Sequence, residues 1–434
     1  MHIVILSGGS GKRLWPLSNE VRSKQFIKAF RGPSGELESM VQRVYRELKK
    51  QIPEAGITIT TSQNQASQLK NQLGSDVDIC VEPVRRDTFP AVALVSLYLK
   101  DVLGIDEKEA VVVCPVDPYA DEGYFKTIRE IGKQVETGAN NLVLMGITPT
   151  YPSEKYGYIT VKEGKVTGFK EKPDLETAKE LLGAGALWNG GIFGFRLGYM
   201  LCKARSETGY DSFSGLKSAY ESLKAVSFDY AVSEKETDIA CVTYDGDWKD
   251  LGTWNMFTEV MAQNTLGKVR TDETCVNTHV INELDVPILV MGLKDTVVAA
   301  SADGILISDK GRSSHMKPYV EEYTEPVRFA EKSWGSYRVL DIEEESMTVK
   351  VTLMPGHSMN YHSHERRDER WNVLSGTGTA VVDGVEQRVA PGDMIWLPRG
   401  CRHTVKAETT LIIMEIQYGT DIDVADKIKH KLLR

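Results

Sequence analysis

The sequence predicts an α/β protein: a doubly wound sheet domain, then a small β-rich extension, then a separate C-terminal domain. Three observations carry this. Strand and helix patterns alternate from the first residues to about residue 150. After Asn264 the apolar runs become short and β-like, with turns between them. A polar, proline-terminated stretch at 321–326 then reads as a linker. The divisions fall at residues 1–263, 264–325 and 326–434. A chain of 434 residues exceeds one ordinary domain, and 41% hydrophobic with 26% charged residues gives a globular protein ample core.

The first strand, His2–Leu6, is a short apolar run that empties into Ser7-Gly8-Gly9-Ser10-Gly11-Lys12-Arg13-Leu14-Trp15-Pro16. A glycine-rich loop after a strand leaves backbone N–H groups free to point at an anion, and glycine lets the backbone approach closely. Lys12, Arg13 and, a little downstream, Lys24 bring cationic donors to the same place. A nucleoside triphosphate suits such a loop. Neither of the two commoner phosphate loops fits: Arg13 follows Gly11-Lys12 where a P-loop has Ser or Thr, and Leu14 stands where a dinucleotide loop has its last glycine.

Further along, strands are expected at 57–60, 79–81, 110–114 and 142–146, with helices at 37–50, 65–73 and 88–103 between them. This alternation predicts a parallel sheet covered on both faces, with ligands outside the carboxyl ends of its strands, where Gly8 to Arg13 lie. Beyond Asn264, strands are expected at 280–281, 288–291, 296–300 and 304–307.

Composition also excludes some partners. A net charge of −9 with no basic block argues against nucleic acid and anionic membranes, and no apolar stretch approaches a membrane span. The N-terminus lacks the basic leader of a signal peptide. Cys80, Cys114, Cys202, Cys241, Cys275 and Cys401 lie far apart with no C-x-x-C pair, as expected of reduced thiols in a cytoplasmic protein.

The run G-G-S-G-K-R-L-W-P-L-S with Lys24-Gln25-Phe26 after it resembles the signature of the sugar-1-phosphate nucleotidylyltransferases, in the mannose-1-phosphate guanylyltransferase branch. Later blocks resemble the same family. They are Glu82-Pro83-Val84-Arg85-Arg86-Asp87-Thr88, whose Asp87 or Thr88 would also cap a helix, and Pro115-Val116-Asp117, where Val116 and Pro118 are departures. Next come Gly146-Ile147-Thr148-Pro149-Thr150 and Tyr156-Gly157-Tyr158-Ile159, where Glu154 and Lys155 replace a small hydroxyl residue and a glycine. The series ends with Phe169-Lys170-Glu171-Lys172-Pro173, Trp188-Asn189-Gly190-Gly191-Ile192-Phe193, Phe228-Asp229-Tyr230-Ala231 and Trp248-Lys249-Asp250-Leu251-Gly252-Thr253-Trp254.

The resemblance implies a Rossmann-like nucleotidyltransferase domain that makes GDP-mannose and pyrophosphate from GTP and mannose 1-phosphate. It implies that Leu6, Gly8, Gly9, Ser10, Gly11, Lys12, Glu82 and Arg85 bind the nucleotide, with Arg13 and Lys24 on the triphosphate. Mg²⁺ would sit on Asp117 and Asp250, Lys172 on the sugar phosphate, and Tyr156, Gly157, Glu171 and Asn189 against the sugar. A homodimer in the cytoplasm is expected. Another nucleobase or another sugar 1-phosphate remains an alternative for the same chemistry.

The tail carries a second constellation: His362-Ser363-His364, Glu369 and Gly376, then Gly392, Pro398-Arg399-Gly400 and His403. Two histidines at alternate strand positions face one side. The spacing resembles both halves of the cupin signature, with Ala407 in place of its closing asparagine, and implies a small β-barrel. His362, His364, Glu369 and His403 would then hold a divalent transition metal (Zn, Mn, Fe or Ni). Arg367, Glu369, Trp371 and the stretch 414–419 further resemble mannose-6-phosphate isomerase, while Arg366 and Arg370 replace two of its histidines. Two roles stay open for this domain: an isomerase, or a non-catalytic metal- or sugar-binding or dimerisation module.

Overall fold

The computed structural model describes residues 1–9, 12–138, 140–162, 165–420, 422 and 426–431. It divides into two compact units, Met1–Arg13 with Ser23–Asn264, and Leu14–Arg22 with Thr265–Arg434. No helix among the described residues is long and apolar enough to cross a membrane.

Among the described residues of the first unit, nine strands form one mixed sheet. Their order is Asp78–Glu82, Gly56–Ser62, His2–Leu6, Ala110–Pro115, Leu187–Arg196, Leu142–Ile147, Ile239–Tyr244, Lys165–Lys170 and Tyr158–Lys162. The first four run parallel, as the alternation predicts. Side chains alternate across the sheet. Ile3 and Ile5 therefore pack with helices Met40–Gln51 and Glu122–Thr137, while Val4 packs with Thr88–Asp101 and Leu197–Thr208 on the other face. The sheet departs from the parallel expectation at Leu187–Arg196, which runs antiparallel to both neighbours. A strand opposed to its neighbours needs no crossover helix of its own, so strand-helix alternation carries no sign of it.

This topology brings distant residues to one edge. Leu6 pairs with Pro115, so the glycine loop and Val116-Asp117 leave the sheet side by side. A two-stranded ladder then sets Trp248–Asp250 against Pro118–Ala120, with Asp250 opposite Pro118.

In the second unit, Thr265–Leu266, His279–Asn282 and Thr296–Ser301 stack in parallel, and Gly304–Asp309 closes the stack antiparallel. The segment Leu14–Arg22 packs here. Ser301 Oγ donates to Pro16 O at 2.8 Å, Asn19 Nδ2 to Asp303 Oδ2 at 2.6 Å, and Arg22 grips Glu283 with two bonds of 2.6 and 2.9 Å. The tail folds as the expected barrel. One sheet contains Gly335–Glu343, Ser346–Leu353, Leu411–Tyr418 and Asp368–Ser375; the other contains Gly378–Val382, His403–Ala407 and His362–Ser363. Val349, Val351, Leu353, Trp371, Val405 and Leu411 lie in the core between them.

Candidate functional site

At the carboxyl edge of the first sheet, the loop is held by its carbonyl oxygens. Ser7 O accepts from Thr61 Oγ1 at 3.0 Å and Gln25 Nε2 at 3.3 Å, and Gly9 O accepts from Ser23 Oγ at 2.6 Å. Gln65, fully buried, donates to Ser7 O at 2.8 Å and accepts from Arg85 Nη2 at 2.9 Å when its amide is turned to satisfy its neighbours. Leu6, Gly8, Gly9, Lys24, Glu82, Arg85 and Asp117 all line one cleft of about 270 Å³. A side chain on Gly8 would bring its Cβ to 3.3 Å from Glu82 Oε1, a tight contact that glycine avoids. Glu82 is buried and accepts from Tyr220 Oη at 2.9 Å; burial raises its pKa against that hydrogen bond. Asp87 caps helix Thr88–Asp101 through its side chain, as one of the two candidates. Ser10 and Gly11 lie outside the described residues, and Lys12 and Arg13 open a short 3-10 turn, Lys12–Leu14.

The ladder places two carboxylates on one cation. Lys24 Nζ lies 3.0 Å from Asp117 Oδ2 and 3.7 Å from Asp250 Oδ1, and donates to Leu251 O at 3.3 Å. Burial disfavours charge on all three groups. The ion pair outweighs it at Asp117, whose pKa is lowered, and at Lys24, whose pKa is raised. At Asp250 burial prevails, helped by the Asp117 charge, and the pKa is raised. A Cβ on Gly252 would stand 3.3 Å from Asp250 Oδ2 and 3.5 Å from Arg13 Nη1, which brings Arg13 to the same spot. Paired carboxylates, each about a third exposed and with one ammonium against their two charges, suit a hard divalent ion that keeps several waters.

Across the sheet, Tyr156, Gly157, Glu171 and Asn189 converge. Asn189 N donates to Gly157 O at 2.8 Å, and a Cβ on Gly157 would strike Glu171 Oε2 at 2.5 Å. Tyr156 packs its ring 4.9 Å from Trp188 and 5.3 Å from Trp248. Lys172 bonds Glu171 Oε1 at 2.8 Å; its own side chain is largely exposed while that of Glu171 is buried. Lys172 sits at φ 43°, a strained value for a non-glycine residue.

In the barrel, ligand atoms of His362, His364 and His403 lie within 4.8 Å of one another, and all three residues are buried. His362 Nδ1 faces Asn360 O at 2.6 Å, His403 Nδ1 faces Cys401 O at 3.1 Å, and His364 Nδ1 faces Asp426 O. A carbonyl only accepts, so each Nδ1 carries the proton and each Nε2 offers a lone pair. Glu369 Oε1 lies 3.0 Å from His364 Nε2, and Oε2 lies 3.5 Å from His403 Nε2. Arg367 Nη2 lies 3.3 Å from His364 Nε2, whereas His403 Nε2 is buried without a hydrogen-bond partner, and the three converging ring nitrogens suit a divalent cation. The histidine triad therefore fits a metal, with Glu369 beside it. Arg367 Nε donates to Glu369 Oε1 at 2.9 Å, and Trp371 Nε1 to Oε2 at 3.3 Å. Burial pushes the pKa of His362 down to about 2 and of His403 to about 4.

A glycine loop and paired carboxylates at one edge of an α/β sheet define a nucleotidyltransferase. The chain belongs to the nucleotidyl transferase family, which it matches over residues 2–266, and residues 349–416 match the cupin domain. It is 29% identical to mannose-1-phosphate guanylyltransferase of Escherichia coli (strain K12), over 99% of this chain and 97% of that one. It is 30% identical to xanthan biosynthesis protein XanB of Xanthomonas campestris pv. campestris (strain B100), over 98% and 97%. The crystal structure of mannose-1-phosphate geranyltransferase from Thermus thermophilus superposes with a TM-score of 0.62 at 27% identity, covering 74% of this chain and 98% of that chain.

Proposed function

We propose that the protein transfers GMP from GTP to mannose 1-phosphate, giving GDP-mannose and pyrophosphate. The meeting of Lys24, Asp117 and Asp250 beside the glycine-loop cleft carries this proposal. The names of the full-length relatives support the choice of substrates. In the reaction, an oxygen of mannose 1-phosphate attacks the α-phosphorus of GTP while the bond to the β-phosphate oxygen breaks. The electron pair leaves with pyrophosphate. The attacking phosphate is already ionised, so no general base is needed.

In this scheme Leu6, Gly8, Gly9, Ser10, Gly11, Lys12, Glu82 and Arg85 bind the nucleotide, and Arg13 and Lys24 hold the triphosphate. Lys172 orients the acceptor phosphate, and Tyr156, Gly157, Glu171 and Asn189 orient the sugar. Asp117 and Asp250 would hold Mg²⁺, which supplies neutralisation of charge on the phosphates. The protein's own contribution is alignment and fixed positive charge, the main levers in phosphoryl transfer.

His362, His364, Glu369 and His403 would hold a divalent transition metal. The same domain isomerises mannose 6-phosphate only if Arg367 can exchange its buried contact with Glu369 for a substrate phosphate. The proposal includes a cytoplasmic homodimer and a division at residues 1–263, 264–325 and 326–434. Pyrophosphate release across four nucleoside triphosphates and several sugar 1-phosphates tests the substrates. A clear preference for GTP with mannose 1-phosphate is expected, and preference for another pair would replace it.

A further inference from the structure

We propose that Asp229 is a specificity-determining residue of the acceptor site, accepting a hydrogen bond from a sugar hydroxyl beside the one held by Glu171. This rests on the sugar 1-phosphate reading above and adds to it a residue that reads the sugar. By sequence, Asp229 in Phe228-Asp229-Tyr230-Ala231 could be a mere helix cap. The structure gives its carboxylate another partner. Asp229 Oδ1 accepts from Asn189 Nδ2 at 2.8 Å, and Asn189 Oδ1 in turn accepts from Gly191 N at 3.2 Å. The Asn189 amide is thus held at both ends. The residue before Asp229 is anchored as well: the Phe228 ring packs 4.2 Å from Phe193, on the strand that carries Asn189.

Two carboxylates and one amide therefore gather around the bare backbone of Gly157. Glu171 leans over Gly157 and is tied to Lys172, while Asn189 fixes Asp229 on the other side. Burial and the Glu171 charge push the Asp229 pKa up to about 7. Lys172 adds a cation to the same group, bonded to Glu171 Oε1 at 2.8 Å with its own side chain largely exposed. Fixed carboxylate acceptors, an amide and an exposed ammonium around bare backbone are the chemistry that takes a phosphorylated sugar, hydroxyls toward the acceptors and phosphate toward the cation. A site built to bond a hydroxyl rejects an analogue that lacks it far more strongly than an apolar pocket can.

The test compares wild type with Asp229→Asn, using full-length protein and a set of monodeoxy analogues of the sugar 1-phosphate it uses best. Asparagine keeps an acceptor for Asn189 and removes the charge. The KM for the sugar phosphate should rise about ten- to a hundredfold while the KM for the nucleotide stays within about twofold. One deoxy analogue should be a poor substrate for wild type yet lose no further activity in the variant, because the missing hydroxyl and the missing charge remove the same bond. An unchanged sugar KM, or an equal loss across every analogue, overturns the proposal. If Asp229→Asn fails to fold by circular dichroism, the wild-type analogue series with Asp229→Ser decides by the same criterion. Absence of transfer by wild type to any sugar 1-phosphate would instead sink the acceptor-site reading, and the proposal with it.

Discussion

Lys24 holds a position that a metal ion would contest. Its ammonium stands 3.0 and 3.7 Å from Asp117 and Asp250, so a divalent cation binding both carboxylates must displace it. A triphosphate in the cleft offers the displaced ammonium a new anionic partner, which couples nucleotide binding to metal binding. Replacing Lys24 by Met should therefore tighten Mn²⁺ binding to the nucleotide-free protein by about tenfold while depressing turnover. Electron paramagnetic resonance of free Mn²⁺ reads the affinity directly, and an unchanged value would mean that Lys24 does not compete. The side chains that line the cleft were legible in the sequence because their motifs are contiguous. Gln25, Thr61 and Gln65 were not assigned their roles, because a side chain bonding a loop carbonyl leaves no spacing signature.

Elements, more than single residues, set the distance between the carboxylates. Asp250 reaches Asp117 only through the ladder between Trp248–Asp250 and Pro118–Ala120, and Asp121 fastens its end. Asp121 Oδ1 caps helix Glu122–Thr137 by accepting from Gly123 N at 2.7 Å, and Oδ2 accepts from Asp247 N at 3.4 Å. Asp121→Ala should cost about 1 kcal/mol in urea unfolding, whereas Asp121→Asn should cost only a few tenths. Equal losses in the two variants would show that the side chain does not act as a cap. Element type was readable from periodicity, and element ends were less so. Residues 37–50 read as one helix, yet Leu37–Glu38 is a strand and the helix starts at Met40, behind a capping box of Ser39 and Gln42. The direction of Leu187–Arg196 depends on long-range pairing, which periodicity does not encode.

At the scale of the whole molecule, a nucleotidyltransferase domain and a cupin domain share one chain, and the buried histidines of the barrel tie its stability to pH. Burial keeps His403 neutral, with its pKa near 4 against 6.5 in the unfolded chain. A lowered histidine pKa adds stability that is full above 6.5 and is lost as pH falls toward 4. Metal-stripped protein should lose roughly 3 kcal/mol from this group across that window. Reloading with Zn, Mn, Fe or Ni should raise the barrel's Tm, and replacing His364 and His403 by Ala should abolish the rise. A Tm indifferent to both chelator and metal would remove the metal centre. The pairing of a sheet domain with a barrel was legible from two separate motif sets. That Leu14–Arg22, the Trp-Pro half of the first motif, packs with the second unit was not, since contiguous sequence gives no hint of where a segment docks.

One comparison bears on the main claim more directly than any other: pyrophosphate release from GTP and mannose 1-phosphate with Mg²⁺, by wild type and by Asp250→Asn. If Asp117 and Asp250 form the cation site of a guanylyltransferase, wild type will release pyrophosphate only when both substrates are present. The variant, still folded, will lose at least about a hundredfold in rate. Full turnover by Asp250→Asn, or release by wild type that does not depend on mannose 1-phosphate, would contradict it.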